Sequence, residues 1–183
     1  YTTSTGASDS SICSGCAVGT YTTVSGISDA SACVSCAAGT FLSTTGATAC
    51  DTCAAGGYFS ATGASECVSC AVGKFSTLSG ATEEAACVSC SAGGYSSTTG
   101  RTTCSSCGVG TYSTLTGASE VSACVGCAVG KYNTVVASSD SSACVGCAAG
   151  SYASATGTST CSLCSAGSYS TTASASETAA CVQ

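Results

Sequence analysis

The chain contains no proline, histidine, methionine or tryptophan, and its only basic residues are Lys74, Arg101 and Lys131. Average usage would give roughly nine prolines in a chain of this length, so their absence marks a strongly biased sequence. Lacking histidine, paired carboxylates and any nucleophile beside a base, the chain has no materials for general acid–base catalysis, and no enzyme activity or cofactor is expected. With a net charge of −6 there is no basic patch for phosphate backbones, so nucleic acid is not an expected partner, and anionic membranes are disfavoured for the same reason. No apolar run approaches the ~18 residues of a spanning helix. A leader or membrane anchor is therefore expected to lie outside this segment.

What the chain does have is cysteine, 19 in 183 residues. That density exceeds the roughly 8–10 % that marks a disulfide scaffold and points to an oxidising compartment. The cysteines fall into C-x-x-C pairs: Cys13/Cys16, Cys33/Cys36, Cys50/Cys53, Cys67/Cys70, Cys87/Cys90, Cys104/Cys107, Cys124/Cys127, Cys144/Cys147 and Cys161/Cys164, with Cys181 opening a further one. Glycine stands third and Tyr or Phe fifth after the second cysteine of every pair, so the chain reads as one tandem array over residues 1–183. Tyr1 aligns with Tyr21, and Val182-Gln183 with Val34-Ser35, so the segment is expected to be a window from a longer array.

Successive units are 17 or 20 residues long. Short ones end in TGATAC, TGASEC, TGRTTC or TGTSTC, while long ones carry an insert before the cysteine, as in SGATEEAAC and TGASEVSAC. A loop is lengthened and the scaffold is kept. In the unit Cys107–Cys124, the stretch Thr111 to Thr116 favours a short strand, and Gly117 marks a turn before the chain returns. Glycine holds that turn position throughout, apart from Ala137 and Ser174. Recurrent glycine and β-branched residues make helix improbable. Each unit thus reads as an irregular hairpin, with one aromatic and a few Val, Leu or Ile to bury and no large core.

The aromatics form a column of one per unit: Tyr1, Tyr21, Phe41, Tyr58, Phe75, Tyr95, Tyr112, Tyr132, Tyr152 and Tyr169. They are expected to be a packing ladder between hairpins rather than a stacking platform for sugars or peptides. Two residues break the uniformity, Phe59 beside Tyr58 and the isolated Arg101.

Joining the second cysteine of each pair to the first of the next gives Cys16–Cys33, Cys36–Cys50, Cys53–Cys67, Cys70–Cys87, Cys90–Cys104, Cys107–Cys124, Cys127–Cys144, Cys147–Cys161 and Cys164–Cys181, leaving only Cys13 unpaired in this window. Closing each pair on itself would leave Cys181 alone instead. Four-cysteine zinc sites are a third option, against which stand the orphan ligands and uncompensated thiolate charge they would create. Asp9, Asp29, Glu83, Glu84, Glu120, Asp140 and Glu177 sit in the long loops, with Asp51 and Glu66 elsewhere. One acid per loop is too few for calcium, and they read as solvated turn residues. Asn133 precedes Thr-Val and is no N-glycosylation acceptor, whereas the abundant Ser and Thr are open to O-linked sugars.

Units such as CVSCAAGTFLSTTGATAC and CVGCAAGSYASATGTSTC resemble the ephrin-receptor-like cysteine-rich repeat, C-x-x-C-P-x-G-T-Y-x-x-x-x-G-x-x-x-C, with Ala, Ser or Gly in place of its proline, as at Ala37, Ser91 and Gly108. They are also similar to the single-disulfide module of tumour necrosis factor receptors. The resemblance implies an all-β, disulfide-rich extracellular solenoid of short hairpins, of the kind found in surface and appendage proteins of algae and other protists. At ~4.8 Å per strand, nine two-stranded units would make a rod of very roughly 90 Å. A structural rod, stalk or filament that associates with itself is the expected function, and a receptor ectodomain or surface antigen is the alternative.

Overall fold

A computed structural model describes residues 15–26 and 29–183. Among them there is no α-helix; the elements are two-residue strands and five single turns of 3-10 helix. The strands pair antiparallel into eight separate two-stranded sheets, each a hairpin. In every registered hairpin the aromatic residue lies opposite the residue that follows the first cysteine of the next pair: Tyr21 opposite Val34, Phe41 opposite Asp51, Tyr58 opposite Val68, Tyr112 opposite Val125. The architecture is an all-β series of small disulfide-closed hairpins. It divides into two compact units, one of Tyr1–Ala71, Phe75–Val88 and Thr99–Thr102, the other of Val72–Lys74, Ser89–Thr98 and Thr103–Gln183.

The strands are shorter than the Thr111–Thr116 stretch promised, ending at Tyr112. The chain leaves its own hairpin there because its next amide pairs with the following one. The N–H of Ser113 donates to Ser138 O at 3.0 Å, and the same sixth residue after the cysteine repeats the bond elsewhere: Leu42 to Ala64 O, Ser76 to Arg101 O, Ser96 to Ala118 O and Ala153 to Ala175 O, at 2.9 to 3.0 Å. Two further bonds accompany it. The glycine third after the cysteine donates to the sixth residue of the next hairpin, as Gly39 to Phe59 O and Gly110 to Asn133 O, and the turn residue of that hairpin donates back to the cysteine carbonyl, as Gly63 to Cys36 O and Gly117 to Cys90 O. The second cysteine of the next pair closes each hairpin by donating to its glycine, as Cys53 to Gly39 O.

Hairpins held by their backbones must approach closely, and this sets what lies inside. The buried column is built from the second cysteines, from Ser76, Ser96, Ser113, Asn133, Ala153 and Leu42 at the sixth position, and from Ala64, Ala81, Ala118 and Ala175 after the turn. The Val and Leu residues expected in the core are instead mostly exposed, among them Val24, Leu78, Leu115, Val125 and Val135, because little room remains between backbones for a branched side chain. Buried hydroxyls find partners locally: Ser76 and Ser113 accept the amides two residues on. Among the described residues no buried side-chain polar atom lacks a partner.

The glycine third after the cysteine carries the tightest contact. Gly19, Gly39, Gly56, Gly73, Gly93, Gly110 and Gly130 all have positive φ, and a Cβ on any of them would collide with the turn carbonyl of the hairpin two further along. Two turns lack glycine, at Ala137 with φ 57° and Ser174 with φ 58°. Each has a local compensation. Beside Ala137, the Asn133 amide nitrogen donates to Thr111 O at 3.0 Å and to Ser138 Oγ at 2.8 Å, while its oxygen accepts the Val135 amide at 2.9 Å. Facing Ser174 is Gly146, where a Cβ would meet the Ser174 hydroxyl.

The three-residue inserts are the 3-10 turns. Ala30–Ala32, Glu84–Ala86, Val121–Ala123, Ser141–Ala143 and Thr178–Ala180 each stand directly before the closing cysteine of a long hairpin.

The glycine contact makes a graded prediction. Gly110→Ala combines a left-handed alanine, about 1–2 kcal/mol, with overpacking worth about 1–3 kcal/mol more. Gly150 shares the positive φ, yet a Cβ there meets nothing within 4 Å, so Gly150→Ala should show only the smaller cost. Thermal unfolding of the disulfide-intact variants checks the order; equal losses would contradict it.

Candidate functional site

Nine disulfides run in series: Cys16–Cys33, Cys36–Cys50, Cys53–Cys67, Cys70–Cys87, Cys90–Cys104, Cys107–Cys124, Cys127–Cys144, Cys147–Cys161 and Cys164–Cys181. Their Cα–Cα distances of 5.5 to 5.8 Å fall in the ordinary range. Each closes a loop of 14 or 17 residues, worth about 3 kcal/mol in the chain-entropy model. Cys13, Tyr1 and Asp9 lie outside the described residues. Among the described residues no three His, Cys, Asp or Glu side chains converge as a metal site, and no helix is long and apolar enough to cross a membrane.

The rings of Tyr21, Phe41, Tyr58, Phe75, Tyr95, Tyr112, Tyr132 and Tyr152 are half-buried, while Tyr169 in the last hairpin is 58 % exposed. The backbone beside these rings bridges in parallel to the residue after the next turn, Phe41 to Ala64, Tyr58 to Ala81, Tyr95 to Ala118 and Tyr152 to Ala175. Phe59 is half-buried at the sixth position, and Arg101 is exposed after its turn.

Among the described residues, five carboxylates of the long loops are helix caps, and Glu84 is the first residue of its turn. Asp29, Glu83, Glu120, Asp140 and Glu177 each occupy the N-cap of a 3-10 turn. Only the two aspartates reach back: Asp29 accepts the Ser31 amide at 2.8 Å and Asp140 the Ser142 amide at 2.7 Å. These amides, followed by the hydroxyls of the same serines, hold both carboxyls below the ordinary aspartate value. The Asp-x-Ser spelling ahead of the cysteine was the signal for this capping role.

Alongside two of the rings the hairpins leave open grooves. One, of about 430 Å³, is lined by Tyr21, Val34, Ser35, Ala37, Thr40, Ala49 and Cys50. The equivalent groove one hairpin later, of about 330 Å³, has Phe41, Asp51, Thr52, Ala54, Ala55, Gly56, Gly57, Cys67, Ser69 and Gly100. It differs chemically in that Asp51 stands where Val34 does and Gly57 where Thr40 does. Sequence reading passed over this site because Asp51 registers as a departure only after the repeats are superposed.

The comparisons agree with this geometry. Residues 77–124 match the family model described as tyrosine-protein kinase ephrin type A/B receptor-like. No curated protein matches the chain. The matched segment includes the bonds Cys90–Cys104 and Cys107–Cys124, and the same spacing continues through the described hairpins on either side. The chain is a tandem array of cysteine-rich repeats, and its serial disulfides suggest an extracellular or secreted setting.

The lowered aspartates make a pH prediction. A carboxyl depressed in the folded state stabilises the fold above its unfolded value, near 3.9, and that contribution is lost as pH falls through the lower folded value. Carboxyl titration by NMR should give Asp29 and Asp140 midpoints below that of a free aspartate. Asp140→Ala should remove the pH dependence it contributes and fray Ser141–Ala143. Midpoints at or above the ordinary value would contradict the capping geometry.

Proposed function

We propose that this chain is part of an extracellular structural protein, a stiff rod, stalk or filament at the cell surface that associates with further copies of itself. The observation that carries the reading is the backbone ladder: hairpin after hairpin repeats the same main-chain bonds, so the array can be extended without any unit being special. Disulfides at every hairpin resist proteolysis and local opening. Near-uniform repeats present the same outer surface again and again, so a weak lateral contact is multiplied.

The long hairpins supply such a contact. Val109, Leu115, Val125, Val129, Val135 and Val145, on two consecutive long hairpins and the strands that follow them, are each 44 to 59 % exposed. Short hairpins carry Ala or Thr at the matching positions, as at Ala38, Thr44, Ala149 and Ala155. The exposed Ser and Thr residues offer acceptors for O-linked sugars. A binding module, such as a receptor ectodomain or surface antigen, is the second reading. It is favoured by the groove that sets a carboxylate, Asp51, across from an aromatic ring.

Electron microscopy of the disulfide-intact protein over a range of concentrations tests the first reading. Unbranched filaments or bundles that grow with concentration are expected. Monomeric particles at every concentration, tightly binding a soluble partner, would reverse the order of the two readings.

A further inference from the structure

In an array this regular, the departures from the repeat are the informative residues, and one of them, Asp51, lines a groove beside an aromatic ring. The residue opposite the aromatic is Val34, Val68, Val125 or Val145 in four of the seven registered hairpins and Ser105 or Ser162 in two; among these seven, Phe41 alone faces a charge, Asp51. The strand position beside the groove floor is Gly57, matched by Gly94 in a later hairpin, where Thr40, Lys74 or Thr111 stand in others. Gly100, on the groove wall, is followed by Arg101, the one charged residue directly after a turn glycine.

The groove holds the half-buried Phe41 ring, a backbone floor from Ala54 to Gly57, and three hydrogen-bonding side chains, Asp51, Thr52 and Ser69. None of those three side chains is engaged in a hydrogen bond within the protein. Asp51 is directly across the hairpin from Phe41, and Ser69 directly across from Gly57. An aromatic face next to an unengaged carboxylate and two hydroxyls is a surface of two characters.

We infer that this groove is a binding site for a pyranose sugar, such as one residue of a surface glycan. A pyranose has a face of C–H bonds that packs on the negative face of an aromatic ring. Its edge carries adjacent hydroxyls, two of which can donate together to the oxygens of one carboxylate, and hydrogen bonds to an ionised acceptor are the strong ones. Thr52 and Ser69 each donate and accept, which suits hydroxyls that do the same. The volume of about 330 Å³ lies at the small end of ligand pockets and suits a single ring. A lysine or arginine side chain would also pair with Asp51, but the Thr52 and Ser69 hydroxyls on the same groove suit a ligand rich in hydroxyls better than a lone cation. The neighbouring groove, with Val34 and Thr40 in these places, has no carboxylate and serves as an internal control.

Methyl β-glucoside, methyl β-galactoside and methyl α-mannoside, each titrated at millimolar concentration into isotope-labelled, disulfide-intact protein, test the site by amide chemical shifts. At least one should shift residues 51–57, 69 and 100 while leaving 34–37 in the control groove unmoved. Asp51→Asn should weaken that binding at least tenfold, and because Asp51 is exposed the variant should keep the spectrum of the folded array. Phe41→Leu should weaken it as well. Shifts with N-acetyl-lysine methylamide and none with the glycosides would replace the inference with a cation site. No shift with any probe, or equal shifts at both grooves, would overturn it.

Discussion

The constraint on which the rest depends is the close approach of one hairpin's backbone to the next. Glycine amides bond to carbonyls of the next hairpin, and seven glycines third after a cysteine also touch the turn carbonyl of the hairpin two further along, with no side chain between. At those seven positions the residue therefore has to be glycine twice over, for its positive φ and for the missing Cβ. The same approach explains a core made of Cys, Ser, Ala and Gly. Such a core releases little free energy by burying apolar surface, and the fold relies on backbone pairing and cross-links in its place.

The disulfides and the loops divide the remaining work. Each bond closes a hairpin at its base, from a second cysteine that is almost fully buried in eight of the nine bonds to the less buried first cysteine of the next pair. Loop length within that closure is free to vary, so a three-residue insert enters as a single 3-10 turn without moving the ladder. Long and short hairpins use equivalent main-chain bonds, as Gly117 to Cys90 O and Gly157 to Cys127 O illustrate, both within 2.7 to 2.8 Å. What changes is the surface: the long hairpins gain a capped turn, and all but the last, which has Ala166 and Thr172 there, carry exposed aliphatic residues. The array thus separates a scaffold that cannot change from a surface that can.

The offsets of Cys, Gly and aromatic residues made the repeat, its all-β disulfide-rich class and the place of the inserts legible, because each of those features is enforced by backbone geometry at a fixed position. The identity of the inward-facing residues was not legible. A hydrophobicity ranking puts Val125 and Leu115 inside and Ser113 outside, and the structure does the reverse, since Ser113 fits between backbones and satisfies its own hydroxyl on the Leu115 amide. Asp140 looked like a solvated turn residue because its partner, the Ser142 amide, exists only once the 3-10 turn has formed. The Phe41–Asp51 pairing needed the hairpin register, which no single repeat displays.

Amide hydrogen exchange on the disulfide-intact protein tests the backbone ladder most directly. The account predicts that amides bonded between hairpins, such as Gly39, Gly63, Ser96, Gly110 and Ser113, are protected to the same degree as those bonded within one, such as Cys53 and Cys107. Protection confined to Cys53, Cys107 and their counterparts, with the inter-hairpin amides exchanging as fast as exposed turns, would show hairpins that are strung together without a shared ladder.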